Sequence, residues 1–376
     1  MPSEVRSWSP QQAAALDAVN RWYKSGLDRK QVFRVFGYAG TGKTTLARHF
    51  AEGLKGDVLY MAYTGKAAMV MRKSGCRGAL TIHATIYSVD FNPQTGVKKF
   101  VLKDVDDLSD TALFVVDECS MVDQEIGRDM LSFGVPILVL GDPAQLPPVK
   151  GGGFFTDADP DVMLTEIHRQ AAENPIVQMA TTIREGGRLT YGEYGISRVI
   201  QRADLTQDDV MQAGQVLVGL NKTRSSYNGR MRVLHGRQSR LPEVGDTLVC
   251  LKNDREKGLF NGGLFRVEEL LKRRRGHLND HTVRMHVASL DFESTTPIEV
   301  RVREEFFEGR GNEVPWKELN GLQQFDYGYA LTVHKAQGSQ WDSVCLFDES
   351  GNFSTDRARW LYTGLTRAAE KITVVM

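Results

Sequence analysis

The chain has 376 residues, 41 % of them hydrophobic and 25 % charged, with 47 Lys plus Arg balanced by 47 Asp plus Glu. That length calls for two or three domains, and the globular composition excludes a disordered or collagen-like chain. Zero net charge and the lack of a basic half mean that any nucleic acid is gripped by a local groove and not by bulk charge. The opening MPSEVRSWSPQQ lacks the apolar core of a secretion signal, and no apolar run nears the ~18 residues that span a bilayer. Cys76, Cys119, Cys250 and Cys345 are far apart and form no CxxC pair. They read as reduced thiols of a cytoplasmic protein, not as a zinc site or disulfide framework.

In chain order, FRVFG (33–37) is an apolar run stopping at glycine, and TTLARHFAEGL continues with helical spacing of Leu46, Phe50 and Leu54. VLYMA (58–62) predicts the next strand and GKAAMVMRKSG the next helix. FNPQTGVKKF (91–100) sets turn residues between apolar flanks and predicts a β-hairpin insertion spanning about 85–110. LFVVDE (113–118) and PILVLGD (136–142) are continuous apolar runs ending in acids, which suits strands buried on both faces of a parallel sheet. This alternation predicts a doubly wound α/β domain over 1–165. QVLVGLN (215–221) starts a second such pattern, resumed by YGYALTVHKAQG, SVCLFD, a helix around 358–369 and the closing ITVV. The second α/β domain is therefore expected over 166–240 plus 321–376. Between them, 241–320 has short β runs and several glycines, and predicts a small β domain inserted into the second.

GYAGTGKT, residues 37–44, satisfies G-x-x-x-x-G-K-[ST] in full, after a strand and before a helix. Gly37, Gly40 and Gly42 let the backbone curl its N–H groups toward phosphate oxygens, together with Thr41 and, just inside the helix, Thr45. Lys43 reaches the β- and γ-phosphates, and the Thr44 hydroxyl ligates Mg²⁺. The acids ending VVDE complete such a site, Asp117 in the Mg²⁺ shell and Glu118 as general base on water. The residues alone thus predict an NTP-hydrolysing P-loop protein that uses Mg²⁺. The P-loop fold by itself does not choose among kinases, switches and motors.

The order of motifs resembles superfamily 1 helicases, specifically the RecD/Dda type. SPQQAAALDAV resembles the Q motif, with Gln12 matching the adenine-reading glutamine and Gln11 as the alternative register. YTGKAA (63–68) resembles motif Ia, TIHA the segment after it, and DECSM motif II. GDPAQLPPV (141–149) resembles motif III, which makes Gln145 the γ-phosphate sensor. LTEIHRQ (164–170) resembles the motif carrying a phosphate-contacting arginine, here Arg169. YALTVHKAQGSQWD (329–342) resembles motif V, and LYTGLTRA (361–368) motif VI, with Arg367 as a second arginine finger. One departure is visible: the family usually has Glu where this chain has Gln340, at the expected ribose contact. Gln still hydrogen-bonds but brings no charge.

The resemblance, which spans nearly the whole chain, implies two RecA-like P-loop domains with a hairpin insertion in the first and an SH3-like β-barrel inserted in the second. It implies a motor in which domain closure brings Arg169 and Arg367 to the site built around Lys43, Glu118 and Gln145. The implied strand track comprises Tyr63, Thr64, Lys66, Thr81, His83, Thr332, His334 and Lys335, with single-stranded and tailed duplex DNA as partners. On sequence alone His83 reads more readily as a partly buried histidine, and Tyr63 and Tyr329 read equally as core aromatics. Phe91 at the hairpin is either a strand-separating wedge or part of a plain surface hairpin. KRRRG (272–276) is either a backbone contact or a solvated charge run. The 5′-to-3′ polarity comes from the resemblance alone, and no residue chooses DNA over RNA. The competing readings are a DNA-stimulated ATPase that remodels without unwinding, and a P-loop kinase or switch with no DNA partner. The last leaves motifs III, V and VI without a purpose. The chain closes on its last expected strand, which reads as a minimal, monomeric motor without a membrane segment. Repair and recombination both suit such a motor.

Overall fold

A computed structural model describes residues 8–26, 30–92, 97–147, 153–166, 173–254, 257–259, 261–272, 281–291 and 296–376, the side chains of 89–92 and 97–100 excepted. Arg169, the Phe91 side chain and 273–276 of the KRRRG run lie outside them. The chain divides into two compact units, 1–186 and 187–376.

The first unit carries strands β1 (Val32–Gly37), β2 (Asp57–Ala62), β3 (Leu80–Thr81), β4 (Tyr87–Asn92), β5 (Val97–Leu102), β6 (Thr111–Asp117), β7 (Ile137–Gly141) and β8 (Val162–Leu164). Six of them form one sheet in the order β3-β2-β6-β7-β1-β8, every neighbouring pair parallel. Period-two alternation decides which side chain faces which layer. Phe33 and Val35, Leu113 and Val115, and Leu138 and Leu140 join one buried cluster with Leu16, Val19, Trp22, Leu46 and Phe50. Val32 and Phe36, Phe114 and Val116, and Ile137 and Val139 join the opposite one with Ile126 and Met130. Both faces are covered, which is why these strands read as unbroken apolar runs. Helix starts are set by side-chain caps. Ser9 and Gln12 form a capping box on helix Pro10–Lys24, and Thr64, Thr81 and Asp123 cap the helices at 65–73, 82–86 and 124–132. β4 and β5 pair as an antiparallel ribbon, Tyr87 opposite Leu102 and Asn92 opposite Val97. Helix Pro175–Arg184 belongs to this unit, which therefore runs beyond residue 165.

The second unit holds β9 (Gly192–Tyr194), β10 (Ser197–Ile200), β11 (Gln215–Val218), β12 (Thr247–Cys250), β13 (Leu264–Leu270), β14 (Thr282–Ser289), β15 (Ile298–Arg303), β16 (Phe325–Tyr327), β17 (Ala330–Thr332), β18 (Trp341–Phe347) and β19 (Ala368–Val375). One sheet runs β17-β11-β18-β19-β10-β9, parallel except at β9. The other is antiparallel, β15-β14-β13-β12-β16. Its fifth strand lies past residue 320 because Phe325 and Tyr327 are needed in that sheet's apolar cluster, beside Phe265 and Phe307. A buried ion pair joins the two sheets. Asp246, fully buried, accepts from Arg232 Nε at 3.0 Å and Nη2 at 2.9 Å, from the Tyr329 hydroxyl at 2.9 Å and from Glu243 N–H at 2.7 Å. Every polar valence of such a pair must be met for it to be tolerated.

All four cysteines are free and buried. Burial pushes the Cys76 thiol up to about 11 and the Cys250 and Cys345 thiols to about 12, from 9.0. In the unfolded chain these thiols ionise first, so the stability they contribute is complete below about pH 9 and is lost as pH rises toward 11–12. The urea midpoint is expected to fall between about pH 8.5 and pH 10.5, by more than about 1 kcal/mol of stability. A flat profile over that interval contradicts the burial argument. Among the described residues, no helix is long and apolar enough to cross a membrane.

Candidate nucleotide and nucleic-acid sites

β1 is the point where the strand order reverses, since the chain moves to β2 on one side of it and to β8 on the other. Ligands of open α/β sheets bind beyond the carboxyl end of such a strand. There the chain makes its glycine loop. Gly37 has no room for a side chain: a Cβ would lie 2.7 Å from Thr41 Oγ1 and 2.8 Å from Leu164 Cβ. Gly40 and Gly42 both have φ 81°, and Gly42 turns the loop into helix Lys43–Glu52. Thr41 is buried and donates its hydroxyl to the Tyr38 carbonyl at 2.8 Å. Lys43 Nζ folds back onto the carbonyls of Gly37 (2.7 Å) and Tyr38 (3.1 Å). These are neutral acceptors that a phosphate outcompetes. Thr45 follows Thr44 in the first turn of the helix.

The Thr44 hydroxyl donates to Asp117 Oδ2 at 2.6 Å, and Asp117 Oδ1 accepts the Glu118 N–H at 2.8 Å. A hydroxyl and a carboxylate brought together at a phosphate loop are hard oxygen donors of the kind Mg²⁺ takes. Glu118 adopts φ 52°, ψ 44°, the left-handed region. A non-glycine residue pays about 1–2 kcal/mol for that, which aims the side chain from the backbone. Beside it the Cys119 thiol is driven well above its usual range by burial and by the Asp117 and Glu118 charges. Gln145 is buried past the end of β7, and its Oε1 has no hydrogen-bond partner among the described residues. An orphaned acceptor there is ready for a donor that arrives with substrate.

Both glutamines of the opening helix are engaged. Gln12 is buried and donates to the Thr41 carbonyl at 3.0 Å while accepting from Ser9 N–H at 3.1 Å. Gln11 instead donates to Thr165 Oγ1 at 3.1 Å and accepts the N–H groups of Thr165 and Glu166, each at 2.8 Å. Gln12 thus touches the phosphate loop, and Gln11 ties the helix to the end of β8.

Elsewhere in the first unit, Tyr63, His83 and Tyr87 form a half-buried aromatic row. Ring centroids are 6.2 Å apart at 77° and then 5.5 Å apart at 33°. Burial, with Asp123 nearby, raises the Tyr63 hydroxyl, so it stays protonated. Thr64 and Thr81 spend their hydroxyls on Ala67 N–H and Ala84 N–H, 3.1 Å each. Lys66 is 5 % exposed. Tyr87 escaped sequence reading, although its spacing of four from His83 was a signal.

In the second unit the loop after β17 carries the other expected residues. Thr332 is buried, with its hydroxyl accepting Lys335 N–H at 3.3 Å, while Lys335 and Gln340 are exposed. His334 lies 5.4 Å from Phe353, which stacks flat on Trp360. Burial lowers the imidazole's pKa and keeps the ring neutral. Arg367 is 4 % exposed and donates to the carbonyls of Thr363 and Ser339, both at 3.1 Å. Asn228 anchors β17 by donating to Ala330 O (3.2 Å) and accepting Ala330 N–H (2.8 Å). Its signal was a polar side chain on a helix's buried face.

Residues 8–206, more than half the chain, match the AAA domain family, and residues 327–375 match the UvrD-like helicase C-terminal domain. The chain belongs to the superfamily 1 helicases of the RecD and Dda type. This superfamily 1 member is 30 % identical over 369 residues to the ATP-dependent RecD2 DNA helicase of Deinococcus radiodurans, covering 89 % of this chain and 45 % of that protein. It is 33 % identical over 187 residues to the ATP-dependent DNA helicase dda of Enterobacteria phage T4, covering 45 % and 42 %. The chain therefore spans less than half the length of these curated relatives. A Bacteroides Pif1 helicase solved in complex with ADP-AlF3 and ssDNA superposes with a TM-score of 0.58 at 17 % identity, over 98 % of this chain and 92 % of that one. At that identity the likeness is one of fold, two RecA-like α/β units.

Proposed function

We propose that this helicase-family chain hydrolyses ATP and uses the cycle to move 5′-to-3′ along single-stranded DNA and to open duplexes. The observation that carries the reading is the 2.6 Å contact of Thr44 with Asp117, formed beside Lys43 and next to the strained Glu118. When bound, Mg²⁺ on Thr44 and Asp117 would neutralise phosphate charge. Lys43 leaves its two carbonyls for the β- and γ-phosphates. Glu118 takes the proton of the attacking water as the new P–O bond forms at the γ-phosphorus and the bond to ADP breaks. The orphaned Gln145 Oε1 accepts a hydrogen bond from that water. We assign the strand track to the Tyr63–His83–Tyr87 row and to His334 and Lys335, since rings and cations suit sequence-tolerant single-strand binding. We read the β4–β5 ribbon as the hairpin insertion and the five-stranded antiparallel sheet as the SH3-like barrel.

The test is phosphate release with and without single-stranded DNA, together with strand release from duplexes carrying a 5′ or a 3′ tail. Stimulation of tenfold or more on single strands, a size typical of a completed site, is expected, with release from the 5′-tailed duplex only. Stimulation without release replaces this reading with the remodeller. No stimulation removes DNA as the partner.

A further inference from the structure

Tyr38 is the second residue of the phosphate loop, and its ring has no part in the chemistry above. The Arg184 guanidinium lies over that ring, 3.6 Å from its centroid. A planar cation that close is stacked on the ring. The Arg184 side chain is 17 % exposed, whereas its neighbour and ion-pair partner Glu185 is 65 % exposed. The exposed carboxylate is the weaker tether of the two. Arg184 is also the last residue of helix Pro175–Arg184, which is pinned by buried Ile176, Met179 and Ile183. Two residues later Gly186, at φ 81°, ends the first unit.

The peptide of Tyr38 is where the loop is wired together. Its carbonyl accepts from Thr41 Oγ1 (2.8 Å), Thr41 N–H (3.3 Å) and Lys43 Nζ (3.1 Å), and its N–H donates to Leu164 O at 3.3 Å. An arriving phosphate draws Lys43 away, so this carbonyl loses its one charged donor. Tyr38 therefore feels occupancy through its backbone and bears Arg184 on its ring.

We propose that Arg184, acting through Tyr38, is a positioning residue that ties occupancy of the phosphate loop to the segment where the chain leaves the first unit. The inference rests on the reading of the loop as an ATP site. Its test measures kcat and KM for ATP at saturating single-stranded DNA. Arg184→Ala and Arg184→Lys are each expected to lower kcat about fivefold or more while KM stays within about threefold, because the loss falls on positioning and not on uniform binding. Lysine keeps the charge and the fold at the helix end but not the planar stack. Tyr38→Phe keeps the stacking ring, so its kcat is expected to fall less than that of Tyr38→Ala. Tyr38→Ala combined with Arg184→Ala is expected to be no slower than Tyr38→Ala alone, since one contact is lost once. Wild-type kcat in Arg184→Lys, or losses that multiply in the double variant, overturn the inference while leaving the ATP site intact. A wild-type chain that neither binds nor hydrolyses ATP overturns the site reading and this inference with it.

Discussion

Lys43→Ala is expected to lower ATP turnover by about three orders of magnitude, the size of effect seen when a preorganised charge is removed from a phosphoryl-transfer site. The loop is built for this residue. Gly37 admits no side chain, Gly42 turns left-handed, and the ammonium is already inside the curl, 2.7 Å from the Gly37 carbonyl. Alanine leaves that carbonyl and the Tyr38 carbonyl without their charged donor, a net loss of about 1–2 kcal/mol that the fold tolerates. Phosphate release and a thermal melt, measured on the same preparation, separate the two effects. Turnover within tenfold of wild type removes the phosphate-loop assignment.

Glu118→Gln is expected to bind ATP with near-normal affinity and to lose about 10²- to 10⁴-fold in kcat, the range of a positioned general base. Glutamine has the same length and pays the same backbone cost at φ 52°, so the comparison isolates the proton acceptor. Nucleotide binding is read by a fluorescent ATP analogue and turnover by single-cycle hydrolysis. A variant that hydrolyses ATP at the wild-type rate removes Glu118 from the role and leaves Asp117 as the sole acid of the site.

What could be seen in the chain beforehand was what local physics decides. Strands β1, β2, β6 and β7 coincide with apolar runs because both faces of their sheet are covered. The meeting of Thr44 with Asp117, 73 residues apart, followed from a motif whose chemistry requires it. Long-range pairing was harder to see. Tyr327 and Phe325 look like the start of the second α/β run, but their rings fill the antiparallel sheet. Helix Pro175–Arg184 follows a motif read as a domain boundary, yet its last residue lies on the phosphate loop. Adjacent glutamines gave no local means of choosing between Gln11 and Gln12, because a helix turns them to different neighbours. The Arg232–Asp246–Tyr329 network joins three distant segments, each of which alone reads as an ordinary charged or aromatic residue.

The four silent thiols are also chronometers. Cys76 and Cys119 lie in the first unit and Cys250 and Cys345 in the second, all fully shielded and all kept protonated. A thiol reagent cannot touch them until the surrounding structure opens, so each alkylation event timestamps an opening. With Cys119 wedged between the Asp117–Glu118 acids and Gly141, where a Cβ would come within 2.8 Å of its sulfur, its labelling clock runs on the breathing of strands β6 and β7. Mass spectrometry of the two cysteine pairs then gives each unit its own opening rate without a single engineered probe.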